Sequence, residues 1–224
     1  MEMKPAPERV SQRLKDQFAP AYLTLTSIIQ GVALSFLASR VEAAYTQFDA
    51  MDWLLTIATF VTILVVWQEY VMQVLTFVWI PTLLDALVPF AFLAGELFLA
   101  HFVYHDQRNW LLTLGLLFIV GAVAQVVTTA QARAFVEENR DVARVLELHS
   151  RYRAISVGVS IVLILSLWAL YDVLHLGQIR LVIALIVLIV VGMFVLNTVP
   201  YWNQVLAYAN GEHRAQRKRK GSNM

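Results

Sequence analysis

The stretch Leu181-Val-Ile-Ala-Leu-Ile-Val-Leu-Ile-Val-Val191 decides the fold, because its apolar residues follow one another without any polar alternation. It belongs to an uncharged run that extends from Leu181 to Gly211 and is interrupted by Pro200. In lipid a helix satisfies its own backbone hydrogen bonds, whereas strands would have to alternate and close into a barrel. The stretch therefore predicts a membrane-spanning helix that ends or kinks at Pro200.

Five other stretches have the same character, and each can cross about 30 Å of hydrocarbon at 1.5 Å per residue. The six predicted spans are residues 20–39, 53–79, 82–104, 110–132, 154–176 and 181–200. Hydrophobic residues make up 59% of the chain and charged residues 15%, against about 45–50% and 25% in soluble domains. We therefore predict an all-α polytopic integral membrane protein whose 20–211 region is a six-helix transmembrane domain.

The composition also excludes several classes of function. No stretch of mixed composition is long enough for a large soluble catalytic domain, and the net charge of +1 argues against a nucleic-acid binder. The absence of cysteine excludes disulfides, thiolate metal sites and thiol nucleophiles. No phosphate loop or nucleophile motif occurs either. We expect a protein that is not an enzyme and has no cofactor.

The distribution of lysine and arginine predicts the orientation. Four precede the first span, five lie between the fourth and fifth spans and five follow the sixth, against three on the opposite side. The positive-inside rule then places both termini in the cytoplasm. We expect the protein to lie in the plasma (inner) membrane. Aromatic residues at span ends, Trp110 among them, are expected to be interfacial anchors.

Three segments flank the predicted spans. Residues 1–19 form either a short amphipathic helix at the membrane surface or a polar tail. Residues 133–153 are predicted to be a helical extension of span four, which either lies at the interface or packs on a partner subunit. Residues 212–224 are a basic cytoplasmic tail with an attraction for anionic lipid.

Carboxylates inside the predicted spans need an explanation, because a charge at membrane depth costs several kcal/mol unless it is protonated, paired or hydrated. Glu69 lies in span two, and Asp85 and Glu96 lie in span three. No lysine or arginine lies within any predicted span to neutralise them. At 100° per residue, Asp85 and Glu96 share one helix face at about 16 Å along the axis.

A polar stripe on span two faces the same neighbourhood. It consists of Thr62, Glu69, Gln73 and Thr76. The short connection between spans two and three, at Trp79-Ile80-Pro81, would bring the two polar faces together, with Gln30 of span one beside them. Oxygen-bearing groups at several depths are typical of a hydrated cation or proton route. The predicted transport pathway therefore comprises Glu69, Glu96, Asp85, Gln73, Thr62 and Gln30.

Structural roles are the alternative for the same residues. Asp85 stands near a helix N-terminus, where a carboxylate is favourable without any function. Glu69 and Glu96 would be protonated in this alternative and would hydrogen-bond between helices, to Gln30 or Gln125 for instance.

A pair of histidines gives a weak metal-site candidate. His101 and His105 stand at i and i+4 at the end of span three, a spacing that lets two imidazoles share an ion. A third ligand would have to come from elsewhere in the chain, and histidines at a membrane interface are commoner than metal sites.

Gln30-Gly31-Val32 in span one, Trp67 in span two, and Pro89-Phe90 with Gly95-Glu96 in span three carry a partial resemblance. The chain resembles the six-helix repeat of the endolysosomal and bacterial potassium-channel family, which implies cation conduction. That family lines its pore with a Phe-Ser-Asp signature preceded by arginine. The corresponding triplet here is Ile28-Ile29-Gln30 with no preceding arginine, so no filter residue is carried over.

Two hypotheses follow from these observations. In the first, the protein is a small channel or transporter, homo-oligomeric, that moves a cation or protons past the intramembrane carboxylates. In the second, it is a non-catalytic accessory or assembly subunit that docks a cytoplasmic or membrane partner through residues 133–153. The substrate, gating and subunit number do not follow from the sequence.

Overall fold

The structure, a computed structural model, describes residues 6–77, 82–104 and 106–209. In these ranges the chain folds into six α-helices. They are α1 (Ala6–Ala44), α2 (Ala50–Thr76), α3 (Leu83–Phe102), α4 (Gln107–Ala134), α5 (Val136–Ala169) and α6 (Arg180–Ala209), with 3₁₀ turns at Tyr45–Gln47 and Leu176–Ile179.

Each helix contains a segment that is long and apolar enough to cross a membrane. The segments are Gln17–Gln47, Ala50–Thr76, Leu83–Phe102, Gln107–Arg133, Tyr152–Ala169 and Arg180–Ala207. The all-α architecture with six such helices confirms the prediction at this level, and it indicates an integral membrane protein. The placement of both termini in the cytoplasm stays a prediction.

One predicted helix end is wrong. The apolar segment of α5 stops at Ala169 rather than near residue 176, because the chain turns there before the 3₁₀ turn that leads into α6. For α6 the sequence predicted an end or a kink at Pro200, and the helix continues past it to Ala209. The carbonyl four residues before a proline loses its hydrogen-bond donor, and the helix continues beyond this missing bond.

The segment after span four is helical, but it is not an extension of span four. At Phe135 the backbone leaves the helical region, with φ −117° and ψ 56°, and α5 begins at Val136. Residues 136–151 are therefore the first part of α5. Its 34 residues span about 51 Å, well beyond the hydrocarbon thickness of about 30 Å.

The two ends of the chain fit the predictions only in part. The backbone of α1 is helical from Ala6 onward and passes through Pro20 without a break, so this part of the 1–19 segment is continuous with span one. The 212–224 tail and the connection at Trp79-Ile80-Pro81 lie outside the described residues.

Acidic residues cap the helices where the sequence places them beside a turn. Asp49 and Asp52 form a reciprocal capping box at the start of α2, with hydrogen bonds of 2.9 and 3.1 Å. At the start of α4, Asp106 accepts a hydrogen bond of 3.0 Å from the backbone of Asn109. These carboxylates satisfy amide groups that have no partner within the helix.

The six helices form a ring. Each packs on the next in the order α1, α2, α6, α5, α4, α3 and back to α1. We call the side where α2, α4 and α6 end the terminal side, and the opposite side the hairpin side. The outer face of α5 is apolar and exposed, as Ile155, Val159 and Val162 show, and such a face is suited to lipid. The polar residues described below lie inside or between the helices.

Trp110 is a core residue rather than the interfacial anchor that its position suggested. Its side chain is fully buried, and its Nε1 donates a hydrogen bond of 3.0 Å to Oγ1 of Thr59 on α2. The indole thus joins the start of α4 to the interior of the bundle, because a buried Trp N–H needs an acceptor.

Candidate functional site

An ion pair between Glu69 and Arg153 lies inside the ring. Glu69 stands on α2, seven residues before the helix ends at Thr76, and a guanidinium nitrogen of Arg153 donates to its Oε2. The two side chains are only 14% and 18% exposed. The prediction that no arginine lies within a span to neutralise the carboxylates is therefore wrong for Glu69, because Arg153 belongs to the apolar segment of α5.

Residues of α6 complete the surroundings of the pair. The hydroxyl of Thr198 donates to Oε1 of Glu69 at 3.4 Å. The guanidinium carbon of Arg153 lies 5.7 Å from the centre of the Phe194 ring, in reach of a cation–π interaction. Three helices thus hold the two charges together, and this is the arrangement that a buried charge requires.

A cavity of about 520 Å³ adjoins the pair. Its walls come from α2, α3, α4, α5 and α6, and exposed lining residues such as Val126 and Gly158 show that it opens to the surroundings of the bundle. Of the predicted pathway residues, Thr62, Glu69 and Gln73 line it. This volume is within the range of about 300–1,000 Å³ that small-molecule sites occupy.

Amide and hydroxyl groups bridge α2 and α4 beside the cavity. Nε2 of Gln73 lies 3.4 Å from Oε1 of Gln125, and the Thr128 hydroxyl donates to Oε1 of Gln73 at 3.3 Å. The hydroxyl of Thr62, in contrast, donates to its own helix, at the carbonyl of Ala58. The bridge fixes Gln73, one turn from Glu69, at the polar end of the cavity.

Glu96 is separate from this site. Its side chain is fully buried and does not line the cavity. Gln30 of α1 donates from Nε2 to Oε1 of Glu96 at 3.1 Å, which is the helix-to-helix bond that the structural alternative describes. The second oxygen, Oε2, accepts no hydrogen bond from any residue in the described ranges.

Asp85 caps α3. Its Oδ2 accepts hydrogen bonds from the backbone nitrogen of Thr82 at 2.6 Å and from the Thr82 hydroxyl at 2.8 Å. Nε2 of Gln131 on α4 donates to the same oxygen at 2.9 Å. The carboxylate is thus held at the N-terminus of its helix, where the structural alternative places it, and it does not line the cavity.

The capping role of Asp85 gives a stability prediction. Asp85→Ala is expected to lower the free energy of unfolding by about 1 kcal/mol, since it removes a capping carboxylate. Thermal unfolding of the purified protein measures this effect. Asp172→Ala is the control, because the Asp172–Arg108 pair is exposed and such pairs contribute little. Equal stability of Asp85→Ala and the wild type would contradict a capping role.

The histidine candidate gains no third ligand in the part of the chain that the structure describes. The His101 ring packs against Phe102, with 5.1 Å between ring centres, and His105 lies outside the described residues. Among the described side chains, no group of three metal-ligating residues comes together.

The structure thus divides the predicted pathway into three places: the cavity with Thr62, Glu69 and Gln73, the Gln30–Glu96 contact, and the cap at Asp85. Two further residues of the cavity wall, Arg153 and Arg133, were not predicted from the sequence. Arg153 directly precedes the uncharged run that begins at Ala154, and it was therefore counted with the loop. The unpaired carboxylate of Glu69 was the available signal, because it required a partner from a neighbouring helix.

Comparison of the chain with protein-family models, with curated proteins and with solved structures finds no match.

Proposed function

We propose that the protein is a membrane transporter in which Glu69 takes up and releases protons at the internal cavity. The supporting observation is the position of the Glu69–Arg153 pair, which lies at the cavity wall between apolar helices. An intramembrane carboxylate that faces a cavity is typical of proton relays in transporters. The pathway belongs to one chain in this proposal, so it does not depend on an interface between subunits.

Arg153 favours protons over metal cations. The guanidinium of Arg153 already donates to the Glu69 carboxylate, which a cation would need as a ligand. Arg133 adds a second positive charge to the lining. Like charges in a medium of low dielectric constant repel strongly. A proton needs no coordination space beside Arg153, and its binding to Glu69 costs the attraction of the ion pair.

Protonation of Glu69 gives the site two states. With Glu69 ionised, the ion pair joins α2 to α5. When Glu69 binds a proton, the carboxylate charge that pairs with Arg153 disappears, and the attraction between α2 and α5 weakens. A pair that opens and closes in this way links the proton to the packing of two helices, which is the kind of coupling that a carrier requires.

The experiment that tests the proposal measures proton flux. The purified protein is reconstituted into liposomes that contain a pH-sensitive dye, and a potassium diffusion potential drives protons inward. We expect Glu69→Gln to reduce the flux by at least about tenfold, because an amide cannot take up a proton. We expect the same reduction from Glu69→Met combined with Arg153→Met, which leaves no unpaired buried charge.

Glu96→Gln is the matched control, because it makes the same change in a carboxyl group that does not line the cavity. We expect this variant to keep the flux of the wild type. Equal flux from wild type, Glu69→Gln and Glu96→Gln would overturn the proposal. Loss of flux in Glu96→Gln alone would place the pathway at the Gln30 contact instead.

The accessory-subunit hypothesis stays a prediction. The backbone of residues 136–151 is helical, and this part of α5 is long enough to reach a partner beyond the membrane.

A further inference from the structure

We infer that the cavity binds a single-chain amphipathic anion, that is, one alkyl chain that carries an oxyanion headgroup. As a statement about the transported substrate, the inference rests on the proposed function; as a statement about binding, it can be tested without transport. It is carried by the shape of the cavity, by the separation of its apolar and polar walls, and by its charge.

The cavity is elongated along the bundle axis. On α4 its lining extends from Leu114 to Arg133, which corresponds to about 28 Å at 1.5 Å per residue. On α5 it extends from Arg153 to Ile161, about 12 Å by the same rise. A long space of about 520 Å³ suits an extended chain better than a compact ring system.

The polar and apolar walls occupy different ends. At the terminal side the lining includes Glu69, Gln73, Gln125, Thr129, Arg133 and Arg153. Toward the hairpin side it consists mainly of aliphatic and aromatic groups such as Leu114, Leu117, Phe118, Ile161 and Val191, and the Thr62 hydroxyl there donates to its own helix. A ligand that fills this space must therefore be apolar over most of its length and polar at one end, because burying a polar group against the apolar wall would cost its hydrogen bonds with water.

The charge of the polar end favours an anion. Among the described residues, Glu69, Arg133 and Arg153 are the charged members of the lining, so in this part of the chain one positive charge remains after Glu69 and Arg153 neutralise each other. Among the side chains that the structure describes, none forms an ion pair with Arg133. A guanidinium is a planar fork of donors that matches the oxygens of a carboxylate, sulfonate or phosphate.

Glycine keeps the wall open. Gly158 on α5 lines the cavity, and a Cβ atom added there would meet no other atom within 4 Å. Gly158 is exposed, at the edge of the cavity beside the outer face of α5, so a larger side chain there narrows the opening of the cavity without displacing a neighbour. Gly31 on α1 has the same free surroundings but does not line the cavity, and it provides a matched control.

The test measures thermal unfolding in phosphatidylcholine nanodiscs with three probes that share a ten-carbon chain: decanesulfonate, decyltrimethylammonium and decanol. The sulfonate keeps its charge at every pH used, so protonation of the probe does not affect the result. We expect the sulfonate to raise the Tm of the wild type by about 3–6 °C at ten times its Kd, and the other two probes to raise it by less than half as much.

Two variants connect the shift to the cavity. Gly158→Leu is expected to abolish the shift, while Gly31→Leu keeps it. Arg133→Gln is expected to weaken sulfonate binding by at least about tenfold, because it removes a charge-assisted contact, and to leave the binding of decanol unchanged. Equal shifts for all three probes, or a full shift in Gly158→Leu, would overturn the inference.

The anion can come from free amphiphiles or from membrane lipids, and a second arm separates these sources. Without any probe, the Tm of wild type and of Gly158→Leu is compared between phosphatidylcholine nanodiscs and nanodiscs that also contain lysophosphatidylglycerol, an anionic lipid with one acyl chain. A gain confined to the wild type supports an anionic membrane lipid as the occupant, and equal changes in both proteins exclude that lipid and leave a free amphiphile as the source. Selective sulfonate binding without proton flux would refute the proposed function alone, and flux without such binding would refute the present inference alone.

Discussion

Arg153→Met is expected to lower the free energy of unfolding by about 3–5 kcal/mol, because it leaves the Glu69 carboxylate without a positive partner in a buried place. The side chain of Glu69 is 14% exposed, so water replaces the guanidinium poorly. Methionine has a similar length and keeps much of the packing beside Phe194. The measurement is reversible unfolding of the purified protein in mixed micelles.

The double variant separates charge from packing. Glu69→Met combined with Arg153→Met removes both charges, and replacement of a whole buried pair by apolar residues is often neutral or stabilising. We expect the double variant to unfold within about 1 kcal/mol of the wild type, although each single variant is strongly destabilised. Single variants that each cost less than about 1 kcal/mol would show that the pair is hydrated rather than buried.

Trp110→Ala is expected to lower the free energy of unfolding by about 3–5 kcal/mol, since it removes a large buried side chain and leaves a cavity in the core. The residue is fully buried, and its loss also removes the hydrogen bond to Thr59. Trp110→Phe keeps a ring and loses the N–H donor, so a smaller cost of about 1 kcal/mol is expected. Thermal unfolding measures all of these effects.

Trp53→Ala is the control for Trp110, because Trp53 is exposed. It should change stability by less than half as much in the same assay. A similar loss for both tryptophans would mean that Trp110 contacts the surroundings of the bundle rather than its core.

The helices were predictable because a membrane-length apolar run is a strong signal by itself. The run from Leu181 to Val191 and its five counterparts all appear as helices. The predicted helix boundaries differ from the structure where backbone conformation, rather than hydrophobicity, determines where a helix ends. Nothing in the composition around Phe135 shows that α4 stops there, and Pro200 interrupts the pattern of α6 without ending the helix.

The site was predictable only on one helix at a time. Helical periodicity placed Thr62, Glu69 and Gln73 on one face, and all three line the cavity. Periodicity on α3 also placed Asp85 and Glu96 on one buried face, but it could not show that their partners are Gln131 and Gln30. The partners of these residues come from other helices. The periodicity of one helix does not predict which helices are its neighbours in the ring.

The length of α5 has a mechanical consequence. The helix is one unbroken rod from Val136 to Ala169, and Arg153 lies near its midpoint, while about half of the rod extends past the apolar segment that begins at Tyr152. Residues 136–151 and Arg153 therefore belong to one continuous helix. A rotation of that helix by one residue's worth, about 100°, would swing Arg153 away from Glu69. A displacement of residues 136–151 would thus change the contact between the two buried charges.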